Sequence, residues 1–372
     1  MIVRQSPALT GQAPRSRRPV RLALISLEPW DEIWRRNQHL SAQLVRQQLV
    51  ESVTFIEPPV RHGKTADGAW SPEPGISVFR PRLYVPRTLG GLALLGRQLR
   101  RGVLRACDLL WVNDPTLGVH CLSRAQPAIY DVTDDWREFR GPRRIIRRVT
   151  KSEDKLAQKC KTIVCSEVLR ERWRNRYGVS APVVPNGIDG DVWRDASPLP
   201  LRGALPHVGY VGTLHQERLD VPLILRLASD PRVGQVHLVG PDAMDSASRQ
   251  LLESAPGVTV HGPVPAPEVP NWIKAMDVLI CPHQVSPFTL SLDAIKSYEY
   301  LASGRPIVAT PTSGFQSLDA PQLTVVDAAS FVQAVGHAAS DKNQYPPIED
   351  NAWATRAISF ASHLPMAQTD EI

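Results

Sequence analysis

Two short stretches concentrate the side chains that could do chemistry. Residues 130–136 (YDVTDDW) place three carboxylates, Asp131, Asp134 and Asp135, within five residues, at the end of an apolar run. Carboxylates this close raise one another's pKa, and one held nearer neutrality can act as a general base. Asp134 is the first candidate and Asp131 the second. The competing reading is that Asp134 or Asp135 caps the next helix. The second stretch, residues 291–310 (SLDAIKSYEYLASGRPIVAT), carries Lys296 and Glu299 three residues apart, hence on one side of a helix. By spacing alone that pair also suits an ordinary exposed helix.

The elements that must position these residues alternate. Residues 20–26 (VRLALIS) are short, branched and apolar, which predicts a first buried strand. Residues 36–48 have helical spacing. Further strands are expected at 53–57, 109–113, 128–132 and 162–165. A helix is expected to begin near Ser166, with Glu167 in its first turn. The alternation restarts at 207–212 (HVGYVG), with strands expected at 235–239, 258–261, 278–281 and 306–309. Strand–helix alternation implies parallel sheets, and two blocks imply two sheets. The break falls within 182–200, where Pro185-Asn186-Gly187 clusters turn residues. Ligands of open parallel sheets bind at the carboxyl ends of the strands, so two facing sheets put the site in the cleft between them.

Composition limits the alternatives. At 372 residues the chain suits two domains. No run approaches the ~20 apolar residues of a membrane span. The first 18 residues are polar and read as a disordered leader, without the apolar core of a secretory signal. Five scattered cysteines with no CxxC pair argue against a disulfide framework or a zinc site and fit a cytoplasmic setting. No GxGxxG follows a strand, against a nicotinamide dehydrogenase. The net charge of +6 is uneven: Arg97, Arg100, Arg101 and Arg105 form one cluster, and Arg140, Arg143, Arg144, Arg147, Arg148 and Lys151 another. Basic residues interleaved with apolar ones at helical spacing suit an anionic membrane surface or a solvated helix face. Nucleic acid is not expected, because no helix-turn-helix, RRM or zinc-finger pattern is present.

Several motifs resemble those of the retaining GT-B glycosyltransferases, glycosyltransferase family four or group 1, of the bacterial polysaccharide or glycoconjugate type. Glu299, Gly304 and Pro306 match the family's acidic residue five positions before a Gly-x-Pro. The resemblance gives Glu299 the ribose hydroxyls of the donor, and a carboxylate can accept two bonds from a vicinal diol. Where the family often has a second glutamate, eight residues earlier, this chain has Ser291. Residues 184–189 (VPNGID) with Trp193 resemble the family's hinge. Residues 208–220 (VGYVGTLHQERLD) resemble its first nucleotide-binding strand and loop. The implication is that Gly212 and Thr213 approach the diphosphate by backbone, with His215, Arg218 and Lys296 nearby. Residues 257–282 are similar to the family's base-binding segment, with Pro263 and Val264 against the nucleobase. Residues 28–38 (EPWDEIWRRNQ) fit a W-x5-R-x-Q pattern. It nominates Trp34, Arg36 and Gln38 as acceptor contacts, the alternative being that Trp30 and Trp34 staple the helix start.

The resemblance implies an α/β GT-B fold of two Rossmann-like domains. The acceptor domain would span 19–185 and the nucleotide-sugar domain 186–345. Residues 346–372 would form a helix crossing back to the first domain, and a tail. The implied activity is transfer from a UDP-, GDP- or dTDP-linked sugar to a hydroxyl of a glycan, a lipid-linked acceptor or a small molecule. No further cofactor and no metal are expected. The expected location is cytoplasmic or peripheral on the inner face of the cell membrane. A nucleotide-sugar epimerase on the same fold and an inert binding subunit of a polysaccharide assembly complex are the alternatives.

Overall fold

The structure, a computed structural model, describes residues 20–61, 69–203, 206–341, 343, 345–348 and 351–365. The expected leader and the end of the tail lie outside the described residues.

Six parallel strands form the first sheet: β1 (Arg21–Ile25), β2 (Ser52–Ile56), β3 (Ile76–Phe79), β4 (Leu109–Val112), β5 (Ala128–Val132) and β6 (Lys161–Val164). Their order is β3-β2-β1-β4-β5-β6. The second sheet repeats this order with β7 (His207–Val211), β8 (Gln235–Val239), β9 (Val258–Gly262), β10 (Val278–Cys281), β11 (Ile307–Ala309) and β12 (Leu323–Val325), arranged β9-β8-β7-β10-β11-β12. Each sheet is doubly wound, with its order reversing beside its first strand, which is where such sheets take ligands. The central strands β1, β4, β5, β7, β8 and β10 are buried almost throughout, as expected of strands covered on both faces. β3 and β12 escape the sequence pattern because they are short edge strands. Their burial alternates, and polar Ser77 and Thr324 interrupt the apolar run.

Helix α1 (Arg36–Arg46) covers one face of the first sheet. Helices α2 (Gly91–Arg101), α3 (Pro115–Cys121), α4 (Arg143–Lys159) and α5 (Glu167–Tyr177) cover the other. Ser166 caps α5 by accepting the Leu169 N–H. In the second domain, α6 (Ile295–Ala302) precedes β11. The chain then returns: α7 (Trp353–Ser362) packs on α1. Trp353 stacks on His39, and Phe360 meets the Trp111 ring at 4.6 Å. Both rings are fully buried in the first domain's core, each worth ~1.5–3 kcal/mol of apolar transfer.

The return explains Asn186-Gly187. This is not a hairpin turn. The segment pairs with the incoming chain through Ile188 N–H to Asn351 O and Trp353 N–H to Ile188 O, both 2.9 Å. A Cβ at Gly187 would lie 2.6 Å from Asn351 O, so two backbones cross here closer than any side chain allows. All five cysteines are free thiols.

Candidate active site in the interdomain cleft

The floor of the donor side is set by glycines. Gly212 ends β7 with φ +141°, and Gly240 ends β8 with φ +142°. A Cβ on Gly240 would strike the Gly212 carbonyl at 2.3 Å. Above Gly212 lies the Lys296 ammonium from α6: its Cε and Nζ are 3.0 Å from where a Gly212 Cβ would be. Nζ donates to Tyr210 Oη at 2.9 Å. Tyr210 Oη in turn contacts Thr213 O and His283 Nε2, both at 3.1 Å. Lys296 therefore has a fixed position without a carboxylate partner among the described residues.

Arg218, from the loop after β7, sits over the Phe288 ring at 5.5 Å. Its Nε is buried with no hydrogen-bond partner, and no carboxylate pairs with it among the described residues. An unpaired buried donor on a guanidinium is costly unless a ligand supplies the acceptor. His215 shows the local field: burial, then Arg218 and Lys296, lower its pKa to about 4, so the imidazole is neutral at pH 7. Glu299 is partly buried and accepts no hydrogen bond among the described residues. Burial raises its carboxyl to about 7, against the pull of Lys296. Pro263 and Val264 follow the carboxyl end of β9, Pro263 exposed and Val264 packed on the second core. Ser291 is fully buried. Its hydroxyl donates to Phe288 O and its carbonyl accepts from Ser166 Oγ, each at 2.7 Å. Its position thus serves the contact between domains and offers no hydroxyl to the cleft.

On the first domain, the three neighbouring acids separate by partner. Asp131, 1% exposed, holds Arg36 through Nε (2.9 Å) and Nη2 (3.0 Å). Asp135, also buried, pairs with Arg172 at 2.9 Å and faces Arg176. It also accepts the Arg137 N–H. Among the described residues Asp134 alone has no close cation: it accepts only the Thr133 hydroxyl, at 3.3 Å. Burial raises its pKa, and Arg218 across the cleft opposes the shift.

The loop after β1 uses its polar groups internally. Arg36 completes its fork with Pro185 O (3.2 Å) and Asn186 Oδ1 (3.3 Å). Gln38 is fully buried; its amide accepts from Arg35 N–H and donates to Pro29 O. Trp34 packs edge-on to Trp30 and His39. These three residues hold the loop to α1 and to the hinge.

Glu28, which its sequence context does not single out, lies on that loop. Burial raises its carboxyl to about 7, with Arg35 opposing, Asp134 and Asp31 adding, and Arg218 felt from the other domain. Glu28, Asp134 and Arg218 therefore share one electrostatic environment. Asp293 is a second unexpected acid. It accepts the Asn186 N–H and the Tyr298 hydroxyl and so fastens the hinge to α6. An aromatic contact also bridges the cleft, Phe139 to Phe288 at 5.4 Å.

Comparison with known proteins bears on the fold and on the second domain. Residues 205–341 match the family model described as glycosyl transferases group 1. TuaH of Bacillus subtilis (strain 168), named for a glycosyltransferase of teichuronic acid biosynthesis, is 28% identical over 217 residues. The match covers 52% of this chain and 52% of TuaH, so the chain spans about half the length of that relative. Among solved structures, a sucrose-phosphate synthase from Thermosynechococcus elongatus has a TM-score of 0.67 at 17% identity, covering 93% of this chain and 94% of its own. Anabaena Alr3699/HepE, in complex with UDP and glucose, has 0.64 at 16% identity, covering 93% and 95%. WaaG, a glycosyltransferase involved in lipopolysaccharide biosynthesis, has 0.63 at 14% identity, covering 92% and 95%. At such identities structural likeness establishes the fold. The chain therefore has a GT-B fold of two Rossmann-like domains, and its residues 205–341 are similar to the group 1 glycosyl transferases.

Proposed function

We propose that the protein is a glycosyltransferase that moves a sugar from a nucleoside diphosphate donor to a hydroxyl of a glycan, lipid-linked or small-molecule acceptor. The observation that carries this is the convergence of two cations that have no carboxylate partner among the described residues, Lys296 over Gly212 and Arg218 beside Phe288, with a Glu299 carboxylate that is unpaired among the same residues. Two cations at a strand-end glycine suit a diphosphate, and a lone carboxylate suits a ribose diol. The complexes of Alr3699/HepE with UDP, with UDP and glucose, and with UDP-glucose support a uridine donor. Gly212, Thr213 and His215 would line the diphosphate, and Pro263 and Val264 the base. On this reading residues 19–185 receive the acceptor and residues 186–345 the donor. Asp134, free of a close cation, is the general base for the acceptor hydroxyl. Trp34, Arg36 and Gln38 support the loop on that side, and Asp131 supports Arg36. Closure of the cleft would keep water from the donor.

A binding subunit without turnover is the second reading. It draws support from Ser291, buried against Ser166 where the resembling family often has glutamate.

Thermal-shift titration with UDP, GDP, dTDP, ADP and NAD tests the donor site. One nucleoside diphosphate should stabilise the chain, by ~2.7 kcal/mol at a hundredfold excess over Kd, and Glu299→Ala should abolish the effect. No shift with any of them removes the donor assignment. A shift without turnover of the matching sugar nucleotides, across glycan and lipid acceptors, favours the binding subunit.

A further inference from the structure

Residues 74–107 contain seven arginines and no carboxylate; residues 139–152 contain five arginines, one lysine and no carboxylate. The fold joins these distant stretches. Helix α2 packs on α3 and α3 on α4, all on one face of the first sheet. Helix α2 buries Leu92, Leu95 and Leu99 and turns Leu94, Arg97 and Arg101 outward. Helix α4 buries Val149 and Leu156. It exposes Arg144, Arg148, Lys151 and Lys155, a stripe at successive helical turns. The side chains of Arg82, Arg97, Arg101, Arg144, Arg148 and Lys151 have no hydrogen-bond or ion-pair partner among the described residues. Like charges gathered without counter-charges repel one another, and α4 adds the positive end of its dipole with no acid in its first turn.

The same face is apolar at its tips. Of eight exposed large hydrophobic residues among those described, four lie on these segments: Tyr84, Leu89, Leu94 and Ile145. Leu89 is 73% exposed and Ile145 52%. Beside α2 a cavity of about 280 Å³ is bounded by Arg82, Arg97 and Arg101 together with Tyr84, Leu94 and Leu95. Cations around a concavity with an apolar wall fit a phosphate that carries a hydrocarbon chain. Helices α2 and α4 both run back antiparallel to the strands they follow. Their first turns, with Leu94 and Ile145, therefore lie at the carboxyl-end rim that also bears Asp134.

We propose that the α2–α4 face docks on an anionic phospholipid bilayer, with one headgroup phosphate held among Arg82, Arg97 and Arg101. Docked this way, the protein turns the acceptor side of its cleft toward the membrane surface, where a lipid-linked hydroxyl can enter. Only that last consequence rests on the glycosyltransferase reading; the docking is measured without a donor.

The test is co-sedimentation of the full chain with vesicles of phosphatidylglycerol and phosphatidylcholine in equal parts, against phosphatidylcholine alone. Binding to the mixed vesicles alone is expected, with release at about 0.5 M salt, where the Debye length falls to a few ångströms. Each cation near an anionic surface contributes about fivefold. Arg97→Gln with Arg101→Gln, and separately Arg144→Gln with Arg148→Gln, should each weaken binding by about 25-fold. Arg249→Gln, on the second domain, should leave it unchanged. Wild-type melting temperatures in the two double variants show that they fold. No binding to the mixed vesicles, equal binding to neutral ones, or variants that bind like wild type overturn the proposal. So does chain that ignores vesicles but binds RNA through the same arginines. So too does release by millimolar inorganic phosphate with Arg144 and Arg148 dispensable, which would mark a free-anion site. A failed nucleotide titration leaves a positive vesicle result standing, so the two readings fail separately.

Discussion

Replacing Asp131 by asparagine tests whether its carboxylate is structural and leaves the proposed base role to Asp134. Arg36 and Asp131 are 5% and 1% exposed, and the carboxylate takes two of the guanidinium's donors in a fork. The remaining donor contacts are both hinge groups, Pro185 O and Asn186 Oδ1. An amide at position 131 removes the counter-charge and turns an NH2 toward an N–H. Breaking one side of a buried pair costs ~3–5 kcal/mol, because the other charge stays buried. Against a total stability of ~5–15 kcal/mol, that is a large fraction. Urea unfolding followed by tryptophan fluorescence should show this loss for Asp131→Asn. It should show under ~1 kcal/mol for Asp134→Asn, whose carboxyl burial already pushes toward its neutral form. Arg36→Met combined with Asp131→Leu should recover ~2 kcal/mol or more of the single-variant loss, since an apolar pair leaves no lone buried charge. Asp131→Asn within ~1 kcal/mol of wild type, or a double variant weaker than the single, refutes the structural role. If Asp131→Asn also lost turnover while melting normally, Asp131 would replace Asp134 as the base.

Two further predictions concern the donor side. Burial holds the Glu299 carboxyl near 7, and only the ionised form accepts both hydroxyls of a diol. Nucleoside diphosphate affinity should therefore rise as pH passes upward through about 7, and a profile unchanged by Glu299→Gln would sink that assignment. The same raised pKa means that the ligand-free fold has its full contribution from this group below about 4.5 and loses it as pH rises through about 7, a slope that the glutamine variant should lack. Gly212→Ala puts a side chain at φ +141°, a region that costs ~1–3 kcal/mol outside glycine, and brings a methyl within 3.0 Å of the Lys296 Cε and Nζ. The melting temperature should fall and affinity should drop about tenfold. Calorimetry showing wild-type affinity would mean that the ammonium is not where the diphosphate binds.

The fold was legible because buried parallel strands write themselves as branched apolar runs. The expected strands at 128–132, 235–239 and 278–281 match β5, β8 and β10 residue for residue. The edge strands β3 and β12 carried no such signal, since half of each faces away from the core. The site was less legible, because a one-dimensional pattern gives residue type without its partner. Asp131, Asp134 and Asp135 look equivalent in sequence. They differ only once Arg36 arrives from 95 positions away and Arg172 from 37. Arg36 fits a loop motif that suggests a ligand contact, yet its fork is filled by Asp131 and the hinge. Glu28 carries no sequence signal for the opposite reason. Nothing in its neighbourhood along the chain marks it, and its raised pKa comes from burial in a cleft that needs both domains, with Asp134 on one wall and Arg218 on the other. Four of the residues proposed as donor contacts, Gly212, Arg218, Lys296 and Glu299, share one property that sequence cannot show. Each keeps an unused capacity for a ligand: a Cβ-free surface, a bare guanidinium, an ammonium fixed by a neutral hydroxyl, and a carboxylate that accepts nothing. Where the fold saturates a polar group, as at Ser291 and Gln38, it builds the hinge and the loop.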